Sequence, residues 1–228
     1  MQVKRLVMVL AMVVAVAVGM AIAQAPQGGP GAGGPPGGGQ GGPGGGAGRG
    51  RGGPSLMITS PSFPDGGEVP MKFAGARGGE NKSPEFKFNW IQGMNPAERP
   101  ATVQSYVIIF HDIENSTRGG TEDTLHWSIY NIPGTATGLP EGLPAGALPD
   151  GSTPGPGIRG GPTGSYFGPG AGATLRHNHY VFEFYALDSK LDFPAGPPTR
   201  AQLLAAMEGK IVGKAAYVGR FRSPAPAQ

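Results

Sequence analysis

The chain has 228 residues, a formal charge of +3, 43 glycines, 25 prolines and no cysteine. The lack of cysteine excludes a disulfide framework and thiol chemistry. Subtracting Lys4 and Arg5 from +3 leaves +1, too little to imply a nucleic-acid partner or an anionic membrane surface.

The first stretch is an address. Lys4 and Arg5 precede an apolar run, Leu6 to Met20, and Ala21-Ile22-Ala23 follows with small residues where a signal peptidase reads. This order predicts a signal peptide over residues 1–23, cleavage after Ala23, and a periplasmic or secreted protein. No stable membrane span is expected after cleavage, because the apolar run is shorter than the ~20 residues a spanning helix needs. Residues 24–54 hold 17 glycines and 6 prolines and no aliphatic larger than Ala. Such a segment cannot offset its ordering entropy by burial, so a flexible tether is expected. Arg49-Gly50-Arg51-Gly52-Gly53 is faintly like an RNA-binding tract, which an exported chain has no use for.

Residues 55–224 read as one mainly β domain, with 225–228 a tail. Leu56 to Thr59 is a first strand, and Val69 to Ala74 a second, weakened by Pro70. Glu85 to Trp90 alternates, with Phe86, Phe88 and Trp90 on the buried face. Ser105 to Phe110 is an apolar run of buried-strand length that ends in His111-Asp112-Ile113-Glu114. After a polar loop, Leu125 to Ile132 forms the next strand. Strict alternation puts Leu125, Trp127, Ile129 and Asn131 on one face and His126, Ser128, Tyr130 and Ile132 on the other. A long Gly- and Pro-rich connection covers 134–161.

His179 to Leu187 is a central strand with both faces largely apolar. Thr199 and Gln202 form a capping box, opening a helix from Arg200 to Glu208 that buries Leu203, Leu204 and Met207 and stops at Gly209. Ala215 to Phe221 is the last strand. The expected fold class is an antiparallel β-sandwich with one or two short helices.

Chemistry concentrates where the two middle strands meet, since His126 can approach the carboxylates of Asp112 and Glu114. Gly168 and Pro169 lie in a Gly/Pro loop ahead of the His179 strand. A competing pattern is His177-x-His179-x-x-x-Glu183, whose members share one strand face. It resembles the first metal motif of the cupins and offers, as the alternative function, a cupin-like metal-dependent enzyme using His177, His179 and Glu183. Against that, Ala171 stands where the motif expects a glycine and no second motif follows. No nucleophile elbow, phosphate-binding Gly-Lys loop or dinucleotide fingerprint is present, so no enzyme activity and no cofactor are expected.

Five stretches in order carry a broader likeness: Ser60 to Pro70 (SPSFPDGGEVP), HWSIYNIP, YFGPG, HYVFEFYALD and LLAAMEG. Together they resemble the phosphatidylethanolamine-binding proteins, in their bacterial Raf-kinase-inhibitor-like branch, from about Leu56 to Arg222. The resemblance implies a β-sandwich whose pocket binds a phosphate-like anion, with inhibition of a protease or kinase as a further role. An exported location argues against a kinase. A monomer or weak homodimer is expected.

Carried over residue by residue, the family's Asp-Pro-Asp-x-Pro loop falls on Asp112 to Ser116, with both prolines lost and Glu114 as the second acid. The pocket histidine of the His-Trp strand is His126, and the glycine-proline lip is Gly168-Pro169. Asn178 replaces a second histidine, and the tyrosine is Tyr180. The implied ligand-binding set is therefore Asp112, Glu114, His126, Gly168, Asn178 and Tyr180. In this reading His126 and Tyr180 donate to the anion and the Asn178 amide replaces one imidazole donor. The acids orient His126 and raise its pKa, or accept from a ligand hydroxyl or ammonium.

Overall fold

The computed structural model describes residues 53–76, 78–116, 119–158 and 165–225. The expected signal peptide and nearly all of the expected tether lie outside them, as do residues 226–228. Among the described residues ten strands occur in chain order: β1 (Ser55–Thr59), β2 (Gly67–Glu68), β3 (Phe86–Gln92), β4 (Asn95–Pro96), β5 (Ser105–Ser116), β6 (Asp123–Pro133), β7 (Gly138–Leu139), β8 (Thr153–Pro154), β9 (Asn178–Leu187) and β10 (Ile211–Phe221), with one α-helix, α1 (Arg200–Met207), between the last two. They form a smaller sheet, β1-β3-β4 with β7 also on β3, and a larger one ordered β2-β10-β9-β5-β6-β8. All pairings are antiparallel except that of β2 with β10.

The two sheets face each other across one aromatic core. Phe86, Phe88 and Trp90 of β3 meet Tyr106, Ile108 and Phe110 of β5 and Phe182 and Phe184 of β9. The alternation in β3 thus forms as the sequence predicts, with Lys87 exposed between its buried neighbours. The run in β5 does not alternate because both faces of that strand are covered. Val107 and Ile109 point the other way, into a second core closed by Leu203 and Met207 of α1. The capping box at Thr199 and Gln202 is present.

Three details depart from the sequence reading. The segment from Val69 to Ala74 is not a strand. β2 ends at Glu68 and Met71–Phe73 is a turn of 3-10 helix entered from Pro70, whose φ of −59° suits a helix start. Leu204 is partly exposed, so α1 buries only Leu203 and Met207. The faces of β6 also fail to alternate. Trp127, Ile129 and Ile132 all reach the inter-sheet core, while Tyr130 sits in the second core.

Two bulges cause this. Val107 is opposed by two residues of β6, Tyr130 and Asn131, and Asn131 takes φ +57°. Phe110 pairs with Trp127 and His111 with Leu125, which leaves His126 as the extra residue between them. The bulge turns His126 towards the inter-sheet core, beside the rings of Phe110 and Tyr180.

Candidate functional site

The open end of the inter-sheet core holds a cavity of about 390 Å³ lined by Asp112, His126, Phe167, Arg176, Asn178 and Tyr180 among others. Three elements build it. β5 supplies Asp112, which pairs in register with Tyr180 of β9, and the β6 bulge supplies His126. The third is the loop from Ser165 to His177, drawn across the sheet end. Asn81 holds this loop: its side-chain oxygen accepts from the Gly168 N–H at 2.8 Å, and its amide donates to the Tyr166 carbonyl at 3.0 Å. Gly168 must be glycine here, because a Cβ would lie 1.9 Å from the Phe73 carbonyl oxygen.

Asp112 is 2% exposed, and its carboxylate is enclosed by donors. The Asn178 amide donates to both oxygens, at 3.2 and 2.9 Å, and the Glu114 N–H donates to one at 3.1 Å. Tyr180, the β9 residue in register with Asp112, has a hydroxyl that accepts from the N–H groups of Gly170 and Ala171, at 3.3 and 3.1 Å. Burial, and then the Asp112 charge, push the Tyr180 phenol well above its ordinary range. Tyr180 is therefore neutral near pH 7, and its oxygen serves the loop as an acceptor.

His126 is 4% exposed. Its Nδ1 lies 3.0 Å from the Phe167 carbonyl, which can only accept, so Nδ1 carries a hydrogen. Burial lowers the imidazole pKa, outweighing the Phe167 and Gly168 carbonyls and the Asp112 charge that raise it. This corrects the expectation that neighbouring acids would raise the His126 pKa. Burial wins, and the ring is neutral near pH 7.

Asp112, His126, Asn178 and Tyr180 thus converge on one cavity, while two expected partners stand elsewhere. Gly168 supports the loop from behind. Glu114 is turned onto His179, accepting from its backbone N–H and its Nδ1, each at 2.6 Å. Burial would raise the Glu114 pKa, but those hydrogen bonds and the imidazole charge lower it overall.

The cupin-like pattern does not form a metal centre. His177 bonds Glu68 at 2.7 Å, His179 bonds Glu114, and Glu183 pairs with Lys214 at 2.8 Å. Shared strand parity placed them on one face, but each found a different partner. Among the described residues no group of three or more His, Cys, Asp or Glu is placed to hold a metal ion.

A larger hollow of about 800 Å³ lies beyond Thr174, lined by Met71, Leu175, Arg220 and Arg222 among others. Its Arg222 is committed to the carbonyls of Thr174 and Leu175, and no buried charge lies in it. The smaller cavity, with Asp112 and His126 in its wall, is the better candidate.

Comparison with known proteins agrees with this architecture. Residues 59–222 match the family model described as phosphatidylethanolamine-binding protein. The chain belongs to the phosphatidylethanolamine-binding protein family. A UPF0098 protein of Methanothermobacter thermautotrophicus is 35% identical over 168 residues, covering 73% of this chain and 99% of that protein. The candidate lipoprotein LppC of Mycobacterium tuberculosis is 30% identical over 167 residues, covering 73% of this chain and 72% of LppC. Among solved structures, the family homologue CT736 of Chlamydia trachomatis superposes with a TM-score of 0.60 at 24% identity, over 75% of this chain and 99% of that one. The Escherichia coli family member YbcL gives 0.59 at 20% identity over the same shares. At these identities the two structures speak to the fold alone.

Within this family fold, sequence reasoning passed over Arg176, Asn81 and the Gly170-Ala171 amides. Arg176 stood next to the motif that was read, and its charge at a loop-strand junction was a usable signal. The role of Asn81 had none, since it lies 87 residues from Gly168, the amide it holds.

Proposed function

We propose that this protein is an exported binding protein whose cavity takes a small phosphate-type anion, and that it acts by binding and not by catalysis. One observation carries the reading. A loop pinned at Asn81 closes over a buried histidine and a fully bonded carboxylate, and leaves the Arg176 guanidinium at the cavity as a cationic donor. Asp112 organises the walls and does not meet the anion, because the Asn178 side-chain amide and the Glu114 N–H already donate to its oxygens. Arg176 meets the anion's charge, with its guanidinium 3.5 Å from the Asn178 side-chain oxygen.

Export rests on the Lys4-Arg5, apolar and Ala21-Ile22-Ala23 order, supported by the lipoprotein description of the LppC relative. A protein partner, a protease in the reading the family likeness suggests, would meet the loop at Leu175, which is 97% exposed between the cavity residues Thr174 and Arg176.

Calorimetric titration with inorganic phosphate and phosphoethanolamine tests the pocket. Binding to the wild type that weakens by about 1–3 kcal/mol in Arg176→Ala, the range for a hydrogen bond to a charged group, supports it. Absence of binding at millimolar ligand overturns it. N-terminal sequencing of secreted material tests export, which predicts a start at Gln24 and is contradicted by a start at Met1.

A further inference from the structure

We propose that the cavity selects tetrahedral oxyanions that bring a proton of their own, so that phosphate monoesters are preferred to sulfate esters at neutral pH. This rests on the anion-pocket reading and goes further, naming which anion and why.

The geometry at His126 decides the matter. Its Nδ1–H is fixed on the Phe167 carbonyl, so the nitrogen left for a ligand is Nε2. In the neutral ring Nε2 holds a lone pair and accepts. The groups facing the ring come from every element around it: Asp112 and His111 from β5, Tyr180 from β9, and the Phe167 and Gly168 carbonyls from the loop. The burial that outweighs them keeps the second proton off.

Several neighbouring donors are already spent. The Asn178 amide gives to both Asp112 oxygens. The Gly170 and Ala171 amides give to Tyr180, and the Thr174 hydroxyl gives to the Arg176 carbonyl at 2.8 Å. An incoming oxyanion therefore meets a cationic donor at Arg176 and an acceptor at His126.

An ester oxygen placed against a lone pair must carry hydrogen. A phosphate monoester does so readily, since its second ionisation lies near about pH 6. Its monoanion offers P–O–H to Nε2 and bare oxygens to Arg176. A sulfate monoester has the same charge and shape but no hydrogen, so His126 must first be protonated at the cost of placing a cation in a buried site. Discrimination is then set by the gap between the ligand's ionisation and that of His126. It is widest at neutral and higher pH and closes in acid, where the ring itself becomes a donor.

The test is titration of the full mature chain with methyl phosphate and methyl sulfate, with inorganic phosphate as the reference anion. At about pH 7.5 methyl phosphate is expected to bind tighter by about tenfold, and at about pH 5 the ratio should shrink several-fold. His126→Gln, whose amide can present either a donor or an acceptor, should make the ratio nearly independent of pH. The two wild-type ratios decide the question even if that variant does not fold. Equal affinities at about pH 7.5, or a preference for sulfate, overturn the selectivity and leave the anion pocket standing. Failure of all three anions to bind at both pH values removes the pocket and this inference with it.

Discussion

Tyr180 and Asp112 are registered partners across the β5–β9 pair, and the carboxylate charge adds to burial in raising the phenol pKa. The Tyr180 hydroxyl accepts the N–H groups of Gly170 and Ala171, so the neighbour of the buried acid also holds the loop over the cavity. Tyr180 is thus a positioning residue.

Tyr180→Phe should act on stability before affinity. It leaves the Gly170 and Ala171 amides without their acceptor, which should cost about 1–3 kcal/mol. Urea denaturation reads that loss, and hydrogen exchange should show faster exchange at Gly170 and Ala171. A variant as stable as the wild type, with unchanged exchange there, would contradict this role.

Gly168→Ala should displace the loop. The new methyl would sit 1.9 Å from the Phe73 oxygen, which is backbone and cannot swing aside. We expect a cost of about 1–3 kcal/mol from overpacking, with phosphate affinity falling because His126 loses its carbonyl partner. Thermal unfolding and phosphate titration together check it. Normal affinity in a destabilised variant would separate the loop from the site.

Local pattern made some of this legible. Phe86, Phe88 and Trp90 announce a half-buried strand, and Thr199 with Gln202 announces a helix start, because period and capping are local properties. The set Asp112, His126, Asn178 and Tyr180 was legible through the family likeness, and the four do share a cavity. What stayed hidden depends on geometry beyond the local window. The bulge at His126 shifts parity without leaving a glycine or proline as a marker. Whether Glu114 would face the cavity or His179 turned on which partner lay nearer. Alternation also could not show that the Tyr180 hydroxyl would accept from the Gly170 and Ala171 amides.

Thr199→Ala is a control for the two faces of the larger sheet. Thr199 Oγ1 accepts from the Gln202 N–H at 3.2 Å, and the Gln202 side chain accepts from the Thr199 N–H at 2.8 Å. Loss of this cap should cost about 1 kcal/mol. Because α1 packs on the second core, away from the cavity, phosphate affinity should not change. A weakened affinity would reveal coupling through β5 and β9.

His126 also predicts how stability depends on pH. Its pKa is lower in the folded protein than in the unfolded chain, where it lies near about 6.5. Between the two values the unfolded chain binds more protons, so stability rises with pH there and falls as pH drops below about 6.5, with a slope of at most about 1.4 kcal/mol per pH unit for one group. The lowered carboxyls of Glu114 and Asp123 have the same sign but act further down, in the carboxylate range. Urea midpoints followed from about pH 8 to about pH 4.5 in the wild type and in His126→Gln isolate the imidazole, since the other titrating groups are common to both. The wild type should lose stability relative to the variant as pH falls below about 6.5, and saturating phosphate should offset that loss by favouring the protonated pair. Parallel curves for the two proteins would mean that His126 is not held neutral by burial, and the donor-acceptor logic of the cavity would fail with it.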